Sequence, residues 1–556
     1  MRRPPIVLIL SLLAVLLVPL PTGPAAAATA PSVDNPTVPD ISIVSPANSP
    51  CVKWNPDLDN DPNKTVREEN EVVPCAWFPS IVTLPNGDLY LAYSWSISHS
   101  HSGAIAARRS TDGGLTWSAQ QIIASDPDPL TVDLKEPSLT VLRDGTLVMA
   151  YYDYRPARGN RRQVYVTRST DNGATWSPRI VPPTLMYDSG KATVSVNGEI
   201  VELANGDLLL PIYGWRHYDG SLGGTAAHVL RSRDGGLTWD RADERVVMWE
   251  GPVYVRDVTV LYNEPALADL GGGHLMMVAR TTNNGDVMRV SHSYDNGDTW
   301  TAPVDEPTLK GHAPHFLKLR GGTHLLTYGD RSNSWVQGRP VAGRMYADTL
   351  GWAGTQSKLI YRNPGVFDDM SYPGSVQLAD GRILTVYYDR GEGILAGTYL
   401  RPDPTRLDLP ALYAAGQVTY QTDLNHTAAS KPTMGPAAPL DGQIGYWNAA
   451  AASAAAPPAR YWQLDLGKTY PVTEIGVVLK PGYHESAKVE VSQTGAGDWQ
   501  TIRTYTMQRT DDYDWSPLGA DRQVRYVRVT ITDTTGNGHA MFNEIAVRVA
   551  PTTFHR

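Results

Sequence analysis

Six segments of this chain align on a leucine, and one column of that alignment gathers its reactive side chains. With Leu84, Leu142, Leu203, Leu270, Leu319 and Leu378 in register, the residues six places earlier are Phe78, Glu136, Asn197, Glu264, Ala313 and Tyr372. One place before those stand Trp77, Lys135, Val196, Asn263, His312 and Ser371. The segments are otherwise largely apolar, so two carboxylates and a phenol in one column are placed for chemistry rather than packing. A phenol titrates at about 10. It attacks an electrophilic carbon only with a base in hydrogen-bond reach, and two carboxylates share its column.

The elements that must position this column repeat with it. Each segment is a strand, a Gly-containing turn and a second strand, as in FPSIVTLPNGDLYLAYS from Phe78 and YPGSVQLADGRILTVYY from Tyr372. Four copies of S-x-D-x-G-x-T-W follow such hairpins, at Ser110–Trp117, Ser169–Trp176, Ser232–Trp239 and Ser293–Trp300. A worn copy at Tyr346–Trp352 keeps Asp348, Gly351 and Trp352. Asp followed by Gly makes a tight turn, because Gly accepts positive φ. These turns read as scaffold, not as calcium loops. Six four-stranded sheets of this kind predict an all-β, six-bladed β-propeller over 71–400, with Asp40–Val44 supplying the outer strand that closes the ring. The innermost strand of each blade then opens beside the axis, and the column rings a central funnel.

The rest of the chain frames that domain. Arg2 and Arg3, an apolar run from Ile6 to Val18 and small residues Ala25–Ala30 read as a signal peptide over 1–30 and predict a secreted protein. An N-terminal segment, 31–70, follows. The two cysteines, Cys51 and Cys75, are expected to pair in an oxidising compartment. Residues 401–415, with Pro402, Pro404 and Pro410, read as a linker. Net charge is −9, which argues against nucleic acid or an anionic membrane surface as partner. No second apolar run long enough to span a bilayer is present, so no membrane insertion is expected. Trp (15) and Tyr (28) outnumber Phe (5), a bias compatible with stacking on sugars. The expected partner is a glycan or polysaccharide, the expected state a monomer, and no cofactor or metal is assigned.

The S-x-D-x-G-x-T-W turns resemble the Asp boxes of the sialidase superfamily, and the likeness covers nearly all of 71–400. The resemblance implies that Tyr372, opening the last blade, is the nucleophile and Glu264, opening the fourth, its base. It implies a guanidinium cluster for a substrate carboxylate, for which Arg280 fits one place and Arg339 or Arg331 another. The chain departs from the family twice. Trp77 stands where the family's first Arg is expected, and a Trp there is expected to stack on a neutral sugar ring. The first-blade loop SWSISHSHSGAIAARR has no Asp to act as acid/base and offers His99 and His101 instead, since imidazole titrates near neutrality. Glu136 and His312 complete the candidate sugar-binding residues. Beyond the linker, Trp462, Asp465, Leu466, Gly467, Arg528 and Glu544 carry a resemblance to discoidin-type, galactose-binding-like domains over 416–550. It implies a jelly-roll-like β-sandwich that binds carbohydrate, with Tyr446, Trp447, Tyr483 and His539 as candidate contacts. The reading is an exo-acting glycoside hydrolase releasing a terminal sugar, sialic acid being one candidate. A uronate-directed polysaccharide lyase and a non-catalytic glycan-binding protein remain open.

Overall fold

A computed structural model gives the architecture. It describes residues 36–45, 48, 76–98, 101–127, 132–155, 161–186, 193–215, 224–251, 255, 257–320, 322–335, 338–346, 351–352, 354–365, 370–425, 427, 430–445, 447–452, 460–481, 484–518, 522–533 and 540–556. The expected signal peptide, Cys51, Cys75, His99, Tyr446, Tyr483 and His539 lie outside these residues. Among the described residues no helix is long and apolar enough to cross a membrane.

Six antiparallel blades surround one axis. The first runs Trp77–Thr83, Leu89–Ser98, His101–Ser110 and Gln121–Ala124 from the axis outward. The sixth begins with Met370–Gln377 and Ile383–Asp389. Its third strand, Ile394–Arg406, pairs with Ile41–Val44 through Ile41↔Gly397 and Ser42↔Ala396. The expected closing strand is therefore in place, and Asp40 pins it by accepting from the backbone of Tyr399 at 2.8 Å. Between blades the apolar faces bury in clusters, such as Leu91, Tyr93, Leu384, Val386 and Leu395 where the first and last blades meet.

The Asp boxes are closed units of hydrogen bonding. In the first, Ser110 Oγ donates to Asp112 Oδ1 at 2.8 Å, and Gly114 N donates to Ser110 Oγ at 2.9 Å. Thr116 donates from N to Oδ1 at 2.9 Å and from Oγ1 to Oδ2 at 2.5 Å. The copies at Asp171, Asp234 and Asp295 repeat this set.

The innermost strands carry a second repeated device. Pairing with the neighbouring strand slips between Trp77 and Ser80, Lys135 and Ser138, Asn263 and Ala266, His312 and His315, and Ser371 and Gly374. Each slip holds a residue in the left-handed region: Phe78 at φ 52°, Glu136 at 50°, Glu264 at 47°, Ala313 at 49° and Tyr372 at 45°. A proline follows every one of them. These are β-bulges on a strand edge, where Pro is tolerated because no ladder donor is needed. A non-Gly residue held this way costs roughly 1–3 kcal/mol. In five of the six blades the bulge re-aims one side chain.

The stretch 401–415 is not a free linker. Strand Ile394–Arg406 continues through it and pairs with Glu544–His555, and helix Leu409–Ala414 follows. The prolines misled because they occupy sites that suit them. Pro404 sits where the pairing slips between Asp403 and Thr405, and Pro410 is in the first turn of the helix. The C-terminal sandwich packs around Trp462, Leu464, Val489, Val527, Val529 and Phe542. Its last strand reaches back: Phe554, 2 % exposed, packs with Leu325, Ile360 and Tyr387 of the propeller. Arg556 bonds the Val38 carbonyl at 2.8 Å.

Candidate active site

The bulges bring three ionisable side chains to one floor. Phe78, Glu136, Asn197, Ala313 and Tyr372 line the axial space there, and Glu264 reaches it by hydrogen bonds. The ionisable residues come from the second, fourth and sixth blades, with Phe78, Asn197 and Ala313 between them. The space between them is about 30 Å³, room for bound water.

Tyr372 and Glu264 are 108 residues apart in sequence, yet Tyr372 Oη donates to Glu264 Oε1 at 2.6 Å. Arg280 Nη1 donates to the same oxygen at 2.8 Å, and the Ala313 N–H to Oε2 at 3.0 Å. Burial pushes the Glu264 carboxyl up, but Arg280, His312, the Tyr372 bond and Arg339 outweigh it and bring it down to about 2. Glu264 is therefore an anion across the physiological range. Tyr372 is driven the other way: burial, then the charges of Glu264 and Glu136, hold its phenol well above the usual value. The pair is a neutral phenol on a carboxylate, with the acceptor for its proton already bonded.

Arg339 closes the wall behind Tyr372. Its Nε donates to the Met370 carbonyl at 2.6 Å and its Nη2 to Tyr388 Oη at 3.1 Å; Nη1 meets His312 Nδ1 at 3.3 Å. Its guanidinium lies 5.3 Å from the Tyr372 ring centre. His312 Nε2 is 3.1 Å from Asp286 Oδ1. Burial, with the Arg280 charge, brings His312 down to about 4, so it is neutral near pH 7. Glu136 bonds Tyr152 Oη at 2.7 Å through Oε1. Its Oε2 is buried with no partner among the described residues, and burial raises this carboxyl to about 7.

The structure thus joins Tyr372, Glu264, Arg280, Arg339 and His312 in one contact network, with Glu136 beside it. One expected residue falls elsewhere. Arg331 makes none of the contacts above; its backbone N–H bonds the Lys310 carbonyl, and its Nε is buried with no partner among the described residues. Trp77 is 2 % exposed and packs against Tyr388 with ring centres 5.3 Å apart. Its ring lies within the wall, which corrects the expectation that it stacks on a sugar. His101 opens the strand His101–Ser110. In the sandwich, Trp447 is 40 % exposed under the Lys431 ammonium, 3.8 Å away.

Residues that the column did not name stand in the partner strands. Opposite Trp77, Lys135, Asn263 and Ser371 are Ser94, Tyr152, Arg280 and Tyr388. Tyr152 and Tyr388 each bond a floor or wall group, and Ser94 Oγ accepts from the Glu136 N–H at 3.0 Å. Reading each hairpin across its turn, as well as down the column, finds them. Asp133, three residues before Glu136, is 1 % exposed, and burial raises it to about 7.

The BNR repeat-like domain model matches residues 87–385. The chain belongs to that family. Its F5/8 type C domain matches 421–545. The chain is 26 % identical to a sialidase of Micromonospora viridifaciens over 240 residues, covering 40 % of this chain and 35 % of that protein. It is 25 % identical to a sialidase of Paraclostridium sordellii over 245 residues, covering 39 % and 55 %. The matches thus span between about a third and about a half of these relatives. A solved structure of a protein of unknown function from Dyadobacter fermentans aligns with TM-score 0.50 and 26 % identity, over 59 % of this chain and 95 % of that one.

Proposed function

We propose that the propeller is an exo-acting glycoside hydrolase of the sialidase superfamily, with Tyr372 as nucleophile and Glu264 as its base. The observation that carries this is the 2.6 Å bond from Tyr372 Oη to Glu264 Oε1 on the funnel floor. As the phenolic oxygen attacks the anomeric carbon, its proton passes to Glu264 and the bond to the aglycone oxygen breaks. A glycosyl-tyrosine results. Water then attacks the same carbon, Glu264 returns its proton to the departing phenolate, and the proton that water loses goes to the group that protonated the aglycone, giving net retention. The aglycone oxygen takes its proton from a general acid, for which His99 and His101 are the candidates.

Among the described residues Tyr372 is paired with a carboxylate and not with a histidine, which favours hydrolysis over the elimination a lyase performs. The relatives named sialidases support the same class. In this reading the enzyme is secreted as a monomer. The F5/8 type C domain holds glycans or polysaccharides near the propeller and raises effective concentration. Screening the whole protein against aryl glycosides tests the reading: release of aryl alcohol that Tyr372→Phe abolishes supports it. Turnover unaffected by that substitution overturns it.

A further inference from the structure

The third blade is the exception among the six. Its innermost strand is broken into Val194–Ser195 and Val201–Glu202, and none of the residues between has a left-handed backbone. Their polar groups turn instead to three other blades. Ser138 Oγ of the second blade donates to the Gly198 carbonyl at 3.0 Å. The Gly198 N–H donates to the Pro265 carbonyl of the fourth at 3.1 Å. Asn197 Nδ2 donates to the Pro314 carbonyl of the fifth at 3.2 Å, and His315 Nε2 lies 2.7 Å from Glu199 Oε1. Glu199 accepts the proton on that nitrogen. His315 is 8 % exposed, so little water competes for the bond.

Each partner stands one or two residues after a bulge: Ser138 after Glu136, Pro265 after Glu264, Pro314 and His315 after Ala313. A left-handed residue persists only where its surroundings over-determine it, and these bonds supply that constraint. Two of the three bulges meet at one carboxylate. Glu264 Oε2 accepts from the Ala313 N–H at 3.0 Å, while Oε1 accepts from Tyr372 Oη at 2.6 Å. The contact with the fourth blade leaves no slack. A Cβ on Gly198 would stand 2.6 Å from the Pro265 carbonyl oxygen and 2.8 Å from Ala266 Cα.

We propose that segment 197–199 is a positioning element: reaching from the third blade, it fixes the openings of the fourth and fifth and so sets Glu264 against Tyr372. This rests on the hydrolase reading above. The test measures kcat and KM of the whole protein on its best 4-methylumbelliferyl glycoside, at a temperature where melting shows each variant folded. Glu199→Ala should lower kcat more than about fivefold, with KM within about threefold, because the base is misplaced and the sugar pocket is not. Glu199→Gln should restore most of that loss, since its amide oxygen still accepts from His315 Nε2. A smaller loss of kcat, a loss confined to KM, or an equal loss in Glu199→Gln overturns the inference and leaves the hydrolase intact. Should Glu199→Ala not fold, Asn197→Ala decides by the same margins for kcat and KM. Absence of turnover by the parent fails the hydrolase reading, and melting temperatures then decide the inference. The shifts of Asn197→Ala and Glu264→Gln should be non-additive in the double variant; additive shifts overturn it.

Discussion

Two structures repeat around this ring, the Asp boxes at its edge and the bulges at its axis, and they repeat in opposite ways. The boxes keep their side chains: Ser, Asp, Gly and Thr recur, and each oxygen of Asp112 or Asp234 is satisfied within its own turn. The bulges keep their backbone, a left-handed residue before proline, while the side chain changes from Phe to Glu to Ala to Tyr. Where side chains are repeated they stabilise the fold. Where only the backbone is repeated, the five bulged blades present four kinds of side chain to a common centre.

The largest effect that separates the two should come from Tyr372→Phe. It should lower kcat by about a thousandfold or more, while the melting curve shifts by the equivalent of only about 1 kcal/mol for one hydroxyl. Glu264→Gln should lower kcat by about a hundredfold, since the phenol remains but its proton acceptor is weakened. Glu136→Gln should alter stability in a pH-dependent way. The native carboxyl titrates at about 7, above the ordinary 4.5. The folded state therefore binds the proton more tightly, and its advantage is present below pH 4.5 and lost as pH rises through 7. The Gln variant should gain on the parent by up to about 3 kcal/mol between those limits in urea melts. A flat difference would place Glu136 in a wetter setting.

At the edge, Asp234→Ala should cost about 1–2 kcal/mol in the same melts, because Ser232 and Thr238 lose their acceptor. Its kcat should stay within about twofold of the parent, since the box only supports the fold. A box substitution that removed activity at unchanged stability would break the contrast. The smallest effect tests the backbone. Ala313→Gly should stabilise by about 0.5 kcal/mol, because relief of the left-handed conformation outweighs the added chain entropy. At an ordinary strand position the same change destabilises, so the sign alone decides.

Much of the architecture was legible in the residues because propellers write one element many times. Six hairpins, four intact boxes and a closing strand at Asp40–Val44 follow from spacing. The column through Tyr372 and Glu264 was legible too, since both occupy the same place in the repeat. What spacing did not give was depth. Trp77 stands in the right strand, but its ring is buried in the wall. The proline of each bulge stood in the sequence as a backbone marker, yet reading it needed the pairing slip. The stretch from Arg401 failed for the same reason: a proline at a bulge and one in a helical first turn look, in sequence, like those of a loose connection.

The central claim is that Tyr372 attacks the sugar. It is tested most directly by acid-quenching the enzyme during turnover of its best aryl glycoside and mapping the digested protein by mass spectrometry. A glycosyl group on the peptide containing Tyr372, absent from the Tyr372→Phe protein, with product of retained configuration, is the predicted result. A glycosyl group on another residue, or product of inverted configuration, would contradict it.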